Sequence, residues 1–424
     1  MKTKIITGII VFFVVAIFAG NWIYGNKVAK EIDTQLKLKI SQNELPVIIA
    51  YSAIKVNPLF SKVKIKTVSV TDVEKNASFN CKAIEIGISP KEALRLAESN
   101  TFEEINSLQL KFVEAVFKVP SSKQEVKVDY ITADFDGHLT KTDFENINKT
   151  FPSLNQKLKL SFSNLNVNNP LPDNQQSMIV ELQKQLYSID KGSCTLIYFP
   201  DTKEIRVKDF SIASKVLTSS SDALIKFSGN GLSDFNPIFA KVNSDYTFKP
   251  EDMQFGRAGD GGILSLSKLS ISSDLTVNIK EKSFPEGKIS ILVKGLKAEY
   301  PNGNGKPIIS LPIIPGATIE KFDMKKLSFN YQMEDGKLTI SDTQLKSSAI
   351  DATLEADVMF DKKNPKNSNI NTAKLVINKL APNLEKMVTN MERQTGKTLP
   401  RIDNIITLEF FGKLVSPKIK GLEL

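Results

Sequence analysis

Histidine is almost missing from this chain: His138 is the only one in 424 residues. That excludes an HExxH zinc site and any Cys/His zinc cluster, and no histidine-based triad exists unless it uses His138. Cysteine is nearly as scarce. Cys81 and Cys194 stand far apart in the sequence, compatible with one disulfide in an oxidising compartment or with two buried free thiols. Lys and Arg exceed Asp and Glu by 56 to 47, a formal charge of +9. The basic residues are spread through alternating segments and not clustered with aromatics, so no nucleic acid is expected as a partner. A basic surface of this kind suits anionic head groups or an acidic partner. Long apolar runs are absent as well, with one exception.

The exception is Ile5 to Tyr24, IITGIIVFFVVAIFAGNWIY, which carries no charge and follows Lys2 and Lys4. About 20 apolar residues at roughly 1.5 Å rise match a bilayer core of about 30 Å. Trp22 and Tyr24 fall where an interfacial aromatic belt sits, which makes them the membrane-anchor residues. A cleaved signal peptide shares the basic start and apolar run, but Ile17-Phe18-Ala19 is bulky where a cleavage site needs a small residue. The expectation is a single uncleaved anchor over 1–26, with the short tail inside and the large domain outside.

After the anchor, Val28, Ile32, Leu36 and Ile40 recur every four residues, predicting an amphipathic helix over 27–44 that continues the membrane helix or lies against the domain. From Ile48 the pattern changes to alternation. Val63, Ile65, Val68 and Val70 slip by one residue at Thr67-Val68, as a β-bulge does. Asn57-Pro58 marks a turn before them, and Ser89-Pro90-Lys91-Glu92 reads as a helix start. Val126, Val128 and Tyr130 alternate, as do Leu158, Leu160 and Phe162, and Met178 to Leu186 reads as a helix. Pro200-Asp201-Thr202-Lys203, Pro285-Glu286-Gly287-Lys288 and Glu334-Asp335-Gly336-Lys337 each read as hairpin turns between alternating runs.

The late strands are the clearest. Leu327, Phe329, Tyr331 and Met333 alternate with polar residues, as do Ile350, Ala352, Leu354, Ala356, Val358 and Phe360, leaving one face apolar and one wet. A helix is expected over 382–395, with Pro382 at its start, Gly396 as its stop, and Leu384, Met387, Val388 and Met391 as an apolar stripe. That stripe suits packing on the sheet, or else docking on a membrane or capping a groove. Ile406, Leu408 and Phe410 form a last strand. The proline- and glycine-rich segment 301–315 carries five Ile and Leu residues and is the expected boundary between a β-rich region over 45–300 and a module over 301–424.

Two constellations resemble chemical sites. Asp134, Asp136 and His138 share one strand face, as a metal or acid–base group would; equally, they are the wet face of a strand whose Ala133, Phe135 and Leu139 turn inward. Arg257 to Gly262 is glycine-rich but lacks the Gly-Lys-Ser/Thr ending of a phosphate loop. The expectation is therefore no catalytic residue, metal or cofactor.

The segment from Phe322 to Gly421 resembles the carboxy-terminal module shared by AsmA-like proteins and type II secretion system protein N. The residues that carry this are FDMKKLSFNYQMEDGKLTISDTQLKSSAIDATLEADVMF, the following helix, and LEFFGKLVSPKIKG with Gly412, Leu414 and Pro417. Ile54 to Asp72, with Asn57-Pro58-Leu59, is similar to the first strands of AsmA-like chains. A fainter likeness is to periplasmic proteins that begin with an anchor followed by residues like Trp22 to Lys27. The resemblance implies a single-pass protein of the bacterial inner membrane with its bulk in the periplasm. It implies a mainly β fold: a transmembrane helix, then a long antiparallel sheet curled into an apolar groove, with a few short amphipathic helices. Its expected work is binding or shuttling lipid, or assisting outer-envelope assembly; the alternative is an accessory scaffold of a type II secretion inner-membrane platform. Leu327, Phe329, Tyr331, Leu354, Val358, Phe360, Leu408 and Phe410 are the groove candidates. The partners implied are the inner membrane, lipid, and envelope or secretion proteins.

Overall fold

Alternation of apolar and polar residues over runs of ten or more positions dictates strands, and strands dominate this protein. The computed structural model describes residues 21, 23–38, 40–41, 47–72, 74, 77–88, 104–119, 124–168, 185–255, 262–281, 284–300, 309–310, 318–319, 321–361 and 364–421. The fold is mainly β, in a long antiparallel sheet that does not close, with few helices. It divides into two compact units, Met1–Pro170 with Tyr187–Asp209 and Phe227–Asn236, and Leu171–Leu186 with Phe210–Lys226 and Pro237–Leu424. The segment 301–315, expected as the boundary, falls within the second unit.

Among its described residues the first unit starts with helix α1, helical at 21, 23–38 and 40–41. Strands β1 (Val47–Ala50), β2 (Ala53–Asn57), β3 (Lys62–Asp72), β4 (Ala77–Gly87), β5 (Glu104–Val119), β6 (Gln124–Thr140), β7 (Gln156–Asn168) and β8 (Ser188–Phe199) follow. Both β1 and β2 pair with β3, and β3 to β8 then pair in sequence order, all antiparallel. Short helix α2 (Lys141–Asn146) carries a capping box between Thr140 and Asp143, satisfying two otherwise unpaired backbone N–H groups. Phe151, Tyr198, Phe227 and Phe235 meet ring to ring, with centroids 4.8–6.4 Å apart.

The expected bulge at Thr67-Val68 is instead a kink shared by neighbouring strands: Thr67 and Lys82 are skipped opposite one another and the ladder resumes in the same register, the first of a series. Across β3 to β7 the ladders skip Thr67, Lys82, Glu114, Asp129 and Asn164, and the β7–β8 ladder skips Asp190. Thr67, Glu114 and Asn164 have φ of 49°, 48° and 50°. On both sides of this polar line the apolar residues change from odd to even positions or the reverse. One residue per strand steps out of the extended conformation along this line, which reverses the alternation and returns both halves of each strand to one face without a change of register. Two cross-strand contacts brace it: Lys82 with Glu114 at 2.5 Å, and Asn164 donating to Asp129 at 2.6 Å.

Between β8 and the second unit's ladder lie β9 (Glu204–Ala213) and β10 (Leu217–Ser228). The Pro200–Lys203 turn joins β8 to β9, with Lys203 N–H donating to the Pro200 carbonyl at 3.2 Å. The second unit's ladder starts with β11 (Asn236–Phe248) and β12 (Met253–Phe255), both paired with β13 (Gly262–Asn278). It continues through β14 (Glu286–Glu299), β17 (Lys321–Glu334), β18 (Lys337–Ser347), β19 (Ile350–Met359), β20 (Asn369–Leu380) and β22 (Ile405–Lys413). Two-residue strands β15 (Ile309–Ser310) and β16 (Thr318–Ile319) pair with each other. On the far side of β22, β21 (Arg401–Ile402) and β23 (Lys418–Ile419) cover the strand edge, which blunts a template for edge-to-edge pairing.

Asp335 and Gly336 form the expected two-residue hairpin, both at positive φ (49° and 76°). The expected turn at Pro285–Lys288 is displaced: the chain reverses between Asn278 and Glu286, and Gly287 lies inside β14 opposite Leu275. Gly287 serves close approach there, since a Cβ would sit 2.0 Å from the Asp274 carbonyl oxygen. Helix α3 (Pro382–Thr395) matches its expected bounds, with Pro382 in the first turn and Gly396 as a left-handed C-cap.

Of the other expectations, the anchor run up to Gly20 and Trp22 lie outside the described residues, as do 89–100, 169–184, 256–261 and most of 301–315. Among the described residues no helix is long and apolar enough to cross a membrane. The amphipathic helix after the anchor lies against the domain: Val28 and Ile32 are buried with Val63 and Ile88, beside Ile54, Val56, Ile86 and Leu108. Cys81 and Cys194 are both free; they stand on β4 and β8, and burial pushes the Cys81 thiol up.

A continuous apolar face and a hollow

In an antiparallel ladder, residues directly opposite one another point to the same side, so register alone shows which side chains form a row. In the first unit Val63, Ile86, Leu110, Ala133, Leu160 and Cys194 form one unbroken row from β3 to β8. Ile65, Ile84, Phe112, Ile131, Phe162 and Gly192 form the next. Gly192 makes room for the Phe162 ring, whose atoms lie 2.4 Å from where a Cβ would be.

The second unit repeats the arrangement. Ile289, Tyr331, Ile340, Ala356, Ala373 and Phe410 are mutually paired across β14, β17, β18, β19, β20 and β22. A hollow of about 810 Å³ over the same strands is lined mostly by residues of the opposite, polar rows, Thr339, Asp357 and Thr372 with Glu355, Lys374 and Glu409, and it reaches Ile340, Ala356, Ala373 and Phe410 between them. The two alanines stand between larger side chains in the row. Asp357 is held below the usual carboxylate range by Lys337, with Asn371 helping, and Glu409 is held low by Lys420 at 3.0 Å.

The groove candidates separate on this framework. Tyr331 and Phe410 stand in the central row, and burial raises the Tyr331 phenol. Leu354 and Leu408 belong to the adjacent row, joined through Leu375. Val358 is buried with Ile370 and Ala373. Leu327 pairs with Val293 and Leu345, and Phe329 pairs with Ile291 beside a register shift. Phe360 departs from the expectation: it follows the end of β19, and its ring meets Phe284 edge-on at 4.8 Å. Ile340, Ala356 and Ala373, which line the hollow, were not among the candidates. Ile340 follows the Asp-Gly hairpin in phase, and the alanines lie on apolar parity, so the pattern held a signal that their small size concealed.

The face lacks the depth of burial that a second packed layer gives. Phe329, Tyr331, Leu354, Leu375, Leu408 and Phe410 are all only half-buried, and the buried clusters contain three or four residues each. Helix α3 does not bury a single residue; Leu384, Met387 and Val388 are half-buried and Met391 is exposed. It is tethered through Arg401, which bonds Glu385 at 2.6 Å and Glu392 at 3.1 Å.

Asp134, Asp136 and His138 are held in ordinary polar contacts. Asp134 accepts from Gln109 at 2.8 Å and faces Lys159, Asp136 faces Lys157, and His138 Nδ1 lies 2.8 Å from the Asn106 side-chain oxygen. No group of three metal-ligating side chains occurs among the described residues. No protein-family model, curated protein or solved structure matches the chain.

Proposed function

We propose that this is a membrane-anchored, non-enzymatic lipid-handling protein of AsmA-like type. Its sheet curls so that the apolar face forms a groove for acyl chains. The observation that carries the reading is the central row of the second unit, apolar along six paired strands, with Tyr331 and Phe410 left half-buried. An uncovered apolar face of this extent marks a binding surface. Taking ten methylenes of an acyl chain out of water contributes about 8 kcal/mol at about 0.8 kcal/mol each. The polar line supports the curl, because the left-handed residues Thr67, Glu114 and Asn164 interrupt the extended backbone at matching places on successive strands. The uncharged run from Ile5 to Tyr24 supplies the anchor.

The test is photo-crosslinking of the full chain in its native membrane, with a photoreactive residue at Phe410 or Leu354 and a control at Lys413. Adducts of lipid mass at the two apolar positions and not at Lys413 are expected. Adducts to protein alone at Phe410 and Leu354 would replace this reading with that of a secretion or envelope scaffold.

A further inference from the structure

Near the start of α1 the described structure exposes large apolar side chains where nothing requires it. Ile23 is 63% exposed, Tyr24 50%, Leu59 49% and Phe60 63%. They belong to two stretches of chain held together. The Leu59 N–H donates to Asn21 Oδ1 at 2.7 Å, and Asn21 Nδ2 donates to Asn57 Oδ1 at 3.1 Å. Gly25 allows the closest approach, since a Cβ there would lie 2.5 Å from the Val56 carbonyl oxygen and 3.1 Å from Pro58 Cδ. The short 3-10 turn Pro58–Phe60 between β2 and β3 is therefore fixed beside the first turns of the helix.

Lysines border this apolar tip. Lys27 is exposed within one turn of Tyr24, and Lys55 and Lys62 are exposed on the strands flanking the turn. Lys55 is paired with Lys64, and Lys66 follows two residues along on the same face. Glu85 neutralises Lys64 at 2.6 Å. Lys66 is held below its ordinary value, chiefly by the charge of Lys55. An apolar tip bordered by lysines is the composition of a segment seated at a membrane interface, with rings at the head-group boundary and ammonium groups toward anionic lipid. Asn21, Ile23 and Tyr24, the last residues of the uncharged Ile5–Tyr24 stretch, stand at this same tip.

We propose that Ile23, Tyr24, Leu59 and Phe60 form a lip that inserts into the surface of an anionic bilayer, with Lys27, Lys55 and Lys62 on its head groups. The lip seats the β2–β3 end of the first unit on the membrane. This rests on the membrane reading above and adds to it: a second contact, made by the folded domain.

The experiment places a nitroxide label at residue 60 (Phe60→Cys, with Cys81→Ala and Cys194→Ser) in the full chain reconstituted into phosphatidylethanolamine–phosphatidylglycerol vesicles. A label at Leu232, also exposed in this unit, is the comparison. Expected are relaxation of the residue-60 label by oxygen, loss of its relaxation by an aqueous nickel chelate, and the reverse at Leu232. Adding Lys55→Glu and Lys62→Glu should restore the nickel effect at residue 60. A label at 60 that stays open to nickel while the chain floats with the vesicles overturns the lip and leaves the anchor standing. Protection from both reagents means that a protein copy or partner covers the turn, and also overturns it. A chain that fails to float removes the membrane reading and the lip together.

Discussion

Substituting Ile32 by alanine tests whether α1 is part of the folded domain or only a tether. Ile32 is 7% exposed and packs with Val28, Val63 and Ile88. The substitution removes three carbon groups, about 2.4 kcal/mol at roughly 0.8 kcal/mol each, before any cavity term. The surrounding Ile54, Val56, Ile86 and Leu108 are only part-buried, so the site can relax and the cavity term is small. The expected loss is about 2.5 kcal/mol, which raises the population of the undocked helix roughly 60-fold. Hydrogen exchange of the full chain reads this directly, because local opening is measured segment by segment. Amides of α1 should exchange faster by up to that factor, while β17 to β20 keep their rates. Lys30→Ala, on the exposed side of the same helix, should change little. Unchanged exchange in α1 would refute the docking, and equal acceleration in both units would refute its being local.

Gly25→Ala should also loosen α1 in the same assay, although alanine is the better helix former by about 1 kcal/mol, because its Cβ would meet the Val56 carbonyl; protection gained would show that helix propensity outweighs the contact. Thr67→Asn should stabilise the first unit by about 1 kcal/mol in urea unfolding, since a β-branched residue at φ 49° is strained where asparagine is tolerated. Glu85 has its carboxyl lowered by Lys64, so its contribution is present above the ordinary glutamate value near 4.5 and is lost as pH falls through the lower folded value. Glu85→Gln should therefore weaken the fold at neutral pH and flatten the acid limb of unfolding measured from pH 6 down to pH 3. Ala373→Phe should overpack the buried cluster of Val358, Ile370 and Ala373 and speed amide exchange in β19 and β20, since Ala373 is only 9% exposed; unchanged exchange there would show that the cluster yields to the larger side chain.

Much of the architecture is legible in local chemistry. The out-of-phase apolar residues around Thr67 require a break in the alternation, and the structure makes it there with a residue at positive φ opposite the skipped Lys82. Asp335-Gly336 encodes its turn, and Pro382 and Gly396 bound α3 because each acts through its own backbone. Where the reading failed, a distant contact had taken over a local signal. Gly287 is read as a turn residue but is needed for approach to Asp274. The 301–315 segment is read as a boundary, yet β14 and β17 on either side of it pair directly over twelve positions. Phe360 continues the apolar alternation of β19, but the strand ends before it and Phe284 takes its ring.

By itself the sequence determined that the strands have one apolar face, because side chains alternate along a strand whatever lies above them. It also determined where each strand must change phase, since the slip is written into the order of residues. Only the tertiary structure decided what meets that face. Register brings Ile340, Ala356, Ala373 and Phe410 from four separated stretches into one row, and a one-residue change in any ladder would turn part of that row to the other side. Whether a partner layer buries the row depends on elements far away in the chain, and period-two alternation is the same in both cases. Here α3 buries none of its own residues, and Tyr331 and Phe410 of the row stay half-buried.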